Sequence, residues 1–184
     1  MVVAVFVPAL AIAARQTPAP QNALRDQIYS ALTGAWTGQL EYRDYQSDER
    51  VVLPAWLEVK PAADGRALEF VYTYDDGPAK TVTESSTVAI DTTKRQFTIT
   101  SKRDHSSEIY QIEGLAPLTP NGHLQFMLAG TGTENDQRVD VRIRITIDRS
   151  LYQFKKETRL SGKEFKFRDG YLLTRRAPVP GGQH

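Results

Sequence analysis

Val139-Asp140-Val141-Arg142-Ile143-Arg144-Ile145-Thr146-Ile147-Asp148 alternates apolar and polar residues without a break. Successive side chains on a strand point to opposite faces, so this period of two gathers the Val and Ile side chains on one face. Asp140, Arg142, Arg144, Thr146 and Asp148 share the other. One face therefore meets a core and the other meets water, the arrangement of an antiparallel sheet solvated on one side.

Working outward, the same parity predicts strands over 36–45, 51–60, 66–75, 80–91, 95–103, 106–113, 122–130, 137–148, 150–160, 164–168 and 171–176. Turn signals separate them. Asp64-Gly65, Asp76-Gly77-Pro78, Asn121-Gly122, Ser161-Gly162 and Asp169-Gly170 place residues that tolerate positive φ where tight links need them. Links this short join only antiparallel neighbours. Parity sends Trp36, Leu40, Tyr42, Val51, Leu53, Leu57 and Val59 inward, followed by Leu68, Phe70, Tyr72, Tyr74, Val88 and Ile90. Phe97, Ile99, Leu124, Phe126, Leu128, Tyr152, Phe154, Phe165, Phe167, Tyr171 and Leu173 complete the inward set. Pro54 marks a bulge or an interrupted ladder, and Gly38 a sharp bend or a close backbone approach.

Ahead of the first strand, Asn22 reads as a helix N-cap, Leu24, Ile28, Ala31 and Leu32 fall near one face, and Gly34 supplies a terminating residue. A helix this short is not stable alone and is expected to cover an open end or an outer wall of the sheet. So many one-faced strands with a single helix must roll up or form two layers, and closure removes exposed edges. The expected fold is all-β: a closed or nearly closed antiparallel up-and-down β-barrel of about ten strands with a short N-terminal helix. The barrel domain is placed at 22–176, between a leader and linker over 1–21 and a tail over 177–184.

Met1 to Ala14 is an uncharged apolar run too short to span a bilayer, and it ends in the small-residue pattern Ala11-Ile12-Ala13. It reads as the apolar part of a secretory signal peptide, with no basic segment before it. The expected location is periplasmic or secreted. The chain holds no cysteine, which excludes disulfides, thiolate metal sites and thiol nucleophiles. A formal net charge of +1 gives no electrostatic reason to expect nucleic acid or an anionic membrane as partner. Neither nucleic-acid binding nor stable membrane insertion is expected.

Leu32-Thr33-Gly34-Ala35-Trp36-Thr37-Gly38-Gln39-Leu40-Glu41-Tyr42 sets a Gly-x-Trp at the head of the first strand, directly after a short helix. This opening resembles that of calycin barrels, the group of lipocalins, fatty-acid-binding proteins and nitrobindin-type haem barrels. The resemblance implies that Trp36 sits at the closed end beneath an arginine from the last strand, a place Arg175 can fill. A guanidinium over an indole face is a cation–π contact of about 1 to 2 kcal/mol when partly desolvated. The haem branch takes its axial histidine from a strand near the C-terminus, where this chain has Tyr171-Leu172-Leu173-Thr174-Arg175-Arg176. His105 and His123 fall in turns and His184 in the tail, so the resemblance to that branch fails at its functional residue; only Tyr171 is left as an iron ligand. No cofactor is expected.

A barrel of more than about eight strands tends to enclose a cavity, and a cavity invites a ligand. Tyr42, Phe70, Tyr72, Tyr74, Phe126 and Tyr152 are the candidate lining, an apolar wall with hydroxyl handles. The same aromatics could equally serve as plain core. Glu84, inward between Val82 and Ser86, is the candidate polar anchor, since a buried carboxylate needs a partner or a raised pKa; Asp44 continues the face of Tyr42. Asp104-His105-Ser106 contains the side chains of a hydrolytic triad, but consecutive residues in a turn cannot form one. Asp75-Asp76-Gly77 and Thr133-Glu134-Asn135-Asp136 lack calcium spacing and read as turns. No metal site is expected.

The first functional expectation is an exported, non-catalytic barrel holding a small apolar or amphipathic ligand. The second is an envelope protein-interaction module whose barrel is filled by side chains. The third is an isomerase or hydrolase using interior Glu84 and tyrosines.

Overall fold

A computed structural model describes residues 20–44, 46–115, 119 and 122–177. Helix α1 (Pro20–Leu32) leads into ten strands. These are β1 (Gly34–Arg43), β2 (Arg50–Pro61), β3 (Ala67–Asp75), β4 (Thr81–Asp91), β5 (Gln96–Ser101), β6 (Ser107–Glu113), β7 (Leu124–Glu134), β8 (Gln137–Ile147), β9 (Leu151–Arg159) and β10 (Lys166–Arg175). Each strand pairs antiparallel with the next, and β1 closes on β10 to complete the barrel. That architecture is compatible with a calycin-type fold.

The decisive stretch behaves as its period requires. Val139, Val141, Ile143, Ile145 and Ile147 of β8 are all buried in the core. On the outer face Arg142 and Lys155 flank Glu157, at 2.8 and 2.9 Å, and Arg159 meets Asp140 at 2.9 Å. Asn135 and Asp136, both at positive φ, form the two-residue link from β7 to β8. Beside Pro54 the ladder from β2 to β3 stops at Ala55, as expected next to a residue with no N–H to give.

One end of the barrel is solid. Ile28 and Leu32 of α1 are fully buried there with Trp36, and Tyr29 donates its hydroxyl to the Arg66 carbonyl at 2.8 Å. The same Tyr29 oxygen accepts from the Ile90 amide at 3.1 Å, so the helix is tied both to the β2–β3 link and to β4. Arg175 lies 4.0 Å from the Trp36 ring centroid and donates to the carbonyls of Ala31, Thr33 and Arg149. Ala31 is in the last turn of the helix, whose carbonyls have no partner within it, and Thr33 directly follows. The Trp36 indole N–H takes the carbonyl of Leu32 at 3.0 Å.

Four expectations are corrected. The helix starts at Pro20, whose fixed φ suits a first helical position, so Asn22 lies inside the first turn rather than capping it. Strand β7 runs on to Glu134: Gly130 and Gly132 interrupt the apolar pattern but not the ladder to β8. The segments 164–168 and 171–176 are not two strands joined by an Asp169-Gly170 turn. They form the single strand β10, and a bulge between Phe167 and Asp169 accounts for the irregular pattern. A Cβ on Gly170 would come within 2.7 Å of the Phe154 carbonyl oxygen, so this glycine serves close strand approach rather than a reversal.

The bulge also flips parity. Phe165 and Phe167, expected inside, lie on the outer face. Arg142 and Arg159 stack over the Phe165 ring at 4.2 and 4.5 Å, and Phe167 is paired with outward Glu157. The segments 1–19 and 178–184, with the expected leader and most of the tail, lie outside the described residues, as does Asn121 of the Asn121-Gly122 link.

Gly38 shows the close approach expected of it. A Cβ there would collide with the Leu172 carbonyl oxygen and crowd the Leu173 Cα, both backbone atoms of β10. Gly38→Ala should therefore cost about 2 kcal/mol, since rotamer changes cannot relieve a clash with backbone. Urea unfolding would measure it, and an unchanged midpoint would refute the constraint.

Candidate functional site

The end away from α1 is built differently, and its form follows from strand lengths. Strand β4 pairs with β5 only from Ser86 to Asp91, and β6 pairs with β7 only through Gln111–Glu113. The short β5–β6 hairpin therefore leaves a notch in the wall between the upper parts of β4 and β7. A cavity of about 670 Å³ follows this notch past Glu84, Ser86, Ile99 and Ser101 to Tyr72 and Tyr171. A second, of about 380 Å³, lies against the opposite wall between Leu40, Tyr42, Leu53, Tyr74, Arg168 and Asp169. Glu84 and Tyr171 line both.

Below the cavities an aromatic column links mouth to base. Tyr171 stacks on Tyr72 across the lumen with ring centroids 4.4 Å apart. The Tyr72 hydroxyl meets that of Tyr152 at 3.3 Å, and Tyr152 lies 5.8 Å from Trp36. Of the residues expected to bind a ligand, the structure brings Tyr42, Tyr72, Tyr74 and Glu84 to the cavities. Phe70, Phe126 and Tyr152 are buried in the packed core beneath. Burial raises the phenol pKa of Tyr72, Tyr74, Tyr110 and Tyr171, and that of Tyr152 to about 12, so these hydroxyls stay protonated and able to donate. Tyr74 and Glu84 line the same cavity, and the Glu84 carboxylate adds to the rise of the Tyr74 pKa that burial causes.

Asp44 is taken up elsewhere. Its carboxylate accepts from the amides of Gln46 and Ser47, which hold its pKa below the usual range. Asp104 likewise accepts from Ser106 in the β5–β6 turn, its pKa drawn down to about 2 by bonds to Ser106 and Ser101. Both are turn chemistry.

What parity did not reveal is the polar lining that the bulge and the extension of β7 create. The bulge sets both Arg168 and Asp169 opposite inward Lys156, and Glu134 ends the inner face of β7. Arg168 Nε lies 3.3 Å from Glu134, whose other oxygen accepts from buried Thr158 at 3.0 Å. The Tyr110 hydroxyl donates to Glu108 at 2.9 Å, and its ring fills the space left by Gly130, where a Cβ would lie 2.7 Å away.

Asp169 stands apart in this set. Burial pushes its pKa up to about 6, against the lowering pull of Lys156 and Arg168 and with the help of Glu134 and Glu108. Among the described residues nothing donates a hydrogen bond to its carboxylate and no cation lies within 4 Å of it. The signal that could have exposed it is the chain of alternating residues on either side of Asp169-Gly170, unbroken by any Pro, Ser or Asn.

A scan against protein-family models finds no match to this chain, and a search of curated proteins finds no relative.

Proposed function

We propose that this chain is an exported, non-catalytic barrel that holds a small amphipathic molecule at its open end, in the manner of a lipocalin. The observation that carries the reading is the contrast between the two ends. The base is packed solid around Trp36, whereas the mouth holds two adjoining cavities lined by tyrosines and Glu84. Cavities of a few hundred Å³ with mixed aromatic and convergent polar lining suit a small ligand. The expectation is refined in one respect: the aromatic column occupies the deep interior, so the ligand sits high, beside the notch, with polar contacts as well as apolar ones. The apolar run Met1 to Ala14 supports export to a periplasmic or extracellular location. Outward Asp140, Arg142, Arg144, Lys155, Glu157 and Arg159 give that wall charges where a lipid-facing barrel would carry an apolar band.

The interaction-module reading draws on Val52, Trp56 and Leu172, exposed apolar residues of the outer wall. Gln39 separates Pro54 from Leu172 in the register, and the Glu41–Arg50 pair borders Val52, so the apolar strip is narrow. Protein isolated from its native envelope and extracted into organic solvent should release a reproducible small molecule, detected by mass spectrometry. Clean protein carrying a stoichiometric polypeptide instead would overturn the ligand reading in favour of the module.

A further inference from the structure

We propose that the mouth cavity selects a protonated organic amine, its ammonium group seated between Asp169 and Glu84 and its apolar body against Tyr42, Tyr74 and Tyr171. The inference rests on the ligand-binding reading above and gives it a chemical class.

The argument starts from Asp169. A buried carboxylate is tolerated when hydrogen bonds or a counter-charge compensate for its lost water, and unmatched acceptors are costly. Asp169 faces the cavity with no hydrogen-bond donor on its oxygens among the described residues, although Lys156 and Arg168 lie near enough to influence it. Arg168 is engaged with Glu134. Glu84 shares the cavity beside the Tyr74 phenol, and its carboxylate oxygens are acceptors for a ligand there. The cavity thus presents two carboxylates as acceptors to a ligand.

Charge points the same way. Among the residues lining that cavity Asp76, Glu84 and Asp169 stand against Arg43 and Arg168, an excess of one negative charge when all are ionised. At the rim Arg43 is turned to the Asp48 carbonyl, and Asp76 is paired with Lys80. A cation entering the cavity would meet the Glu84 and Asp169 carboxylates as acceptors and several electron-rich ring faces. Tyrosine faces add to the attraction of an organic cation when water is excluded. Among the described residues no three acidic or imidazole groups converge as metal ligands, which favours a cation with an organic body over a bare ion. The cavity of about 380 Å³ has room for a single ring or short chain bearing one amine.

The test uses three probes of one shape and different head groups: 2-phenylethylamine, 2-phenylethanol and phenylacetate, titrated calorimetrically into the full chain at neutral pH. The amine should bind at least about tenfold more tightly than the alcohol and the acid. Asp169→Asn should lower amine affinity at least about tenfold while leaving the alcohol unchanged. Equal affinities, or a preference for the alcohol or acid, overturn the amine assignment and leave the ligand-binding reading standing. An Asp169→Asn variant that binds the amine as well as the parent also overturns it. Failure of all three probes to bind at millimolar concentration overturns this inference together with the reading beneath it.

Discussion

Trp36→Ala should destabilise the barrel by about 3–5 kcal/mol, the range for removing a large aromatic side chain from a filled core. Trp36 is 1% exposed, with the Tyr152 ring centroid 5.8 Å from its own and the Arg175 guanidinium over its ring at 4.0 Å. Its loss opens a cavity at the base. It also strips the half-buried guanidinium of its ring and leaves the Leu32 carbonyl without its indole donor. Trp36→Phe keeps a ring face for Arg175 but gives up the N–H and part of the volume, and should cost less, about 1–2 kcal/mol. Urea unfolding followed by far-ultraviolet circular dichroism measures both. A change below about 1 kcal/mol for the alanine variant would mean that the base refills itself and that the indole is not its keystone.

Much of this base was legible in the sequence because it depends on local pattern. The five apolar positions of β8 need only a period of two to be read, and the same reading placed Leu57, Val59, Leu68, Phe70 and Leu173 correctly in the core. The Gly-x-Trp opening, with an arginine on matching parity near the chain's end, pointed to one contact between Trp36 and Arg175, and the register pairs these two residues. Tyr29 was invisible for the opposite reason. Its value lies in joining Arg66 and Ile90, two partners far away in sequence.

The mouth was harder to read because its chemistry comes from departures from the pattern. An Asp-Gly pair is the strongest short signal for a tight turn, and at 169–170 it sits instead within a strand wall. Only the spatial proximity of the Phe154 carbonyl shows why the glycine is there. Gly130 and Gly132 weakened the strand pattern of β7, yet Gly130 makes room for the Tyr110 ring and the extra length delivers Glu134. The notch follows from unequal strand lengths around a closed ring. No single strand's sequence records that quantity.

Asp169→Asn should stabilise the ligand-free protein at neutral pH and remove part of its pH dependence. An aspartate ordinarily titrates near 3.8, and burial raises Asp169 to about 6. Between those values the folded state holds the proton more tightly than the unfolded chain, so stability falls as pH rises through the window. The stabilisation is complete below pH 4 and lost once pH passes 6, a difference on the order of 3 kcal/mol for a rise of that size. The groups facing this carboxylate bias it without cancelling the rise: Lys156 from β9 and Arg168 beside it lower its pKa, while Glu134 from β7 and Glu108 from β6 raise it. Tyr72, Tyr110 and Tyr171 face it as neutral phenols. Glu41, Asp44, Asp91, Asp104 and Glu157 act in the opposite sense, because their folded pKa values are lowered and their contributions disappear in acid. A single pH profile would blend the two effects. Subtracting parent from variant at each pH isolates Asp169, since the other carboxylates are common to both. The urea midpoint of Asp169→Asn should exceed that of the parent clearly at pH 7 and by much less at pH 4. The same advantage at both values would show that Asp169 does not titrate in this window. An advantage confined to neutral pH would mean that the empty barrel carries an uncompensated charge at its mouth, and a bound amine would relieve that penalty through the direct contact the asparagine variant lacks.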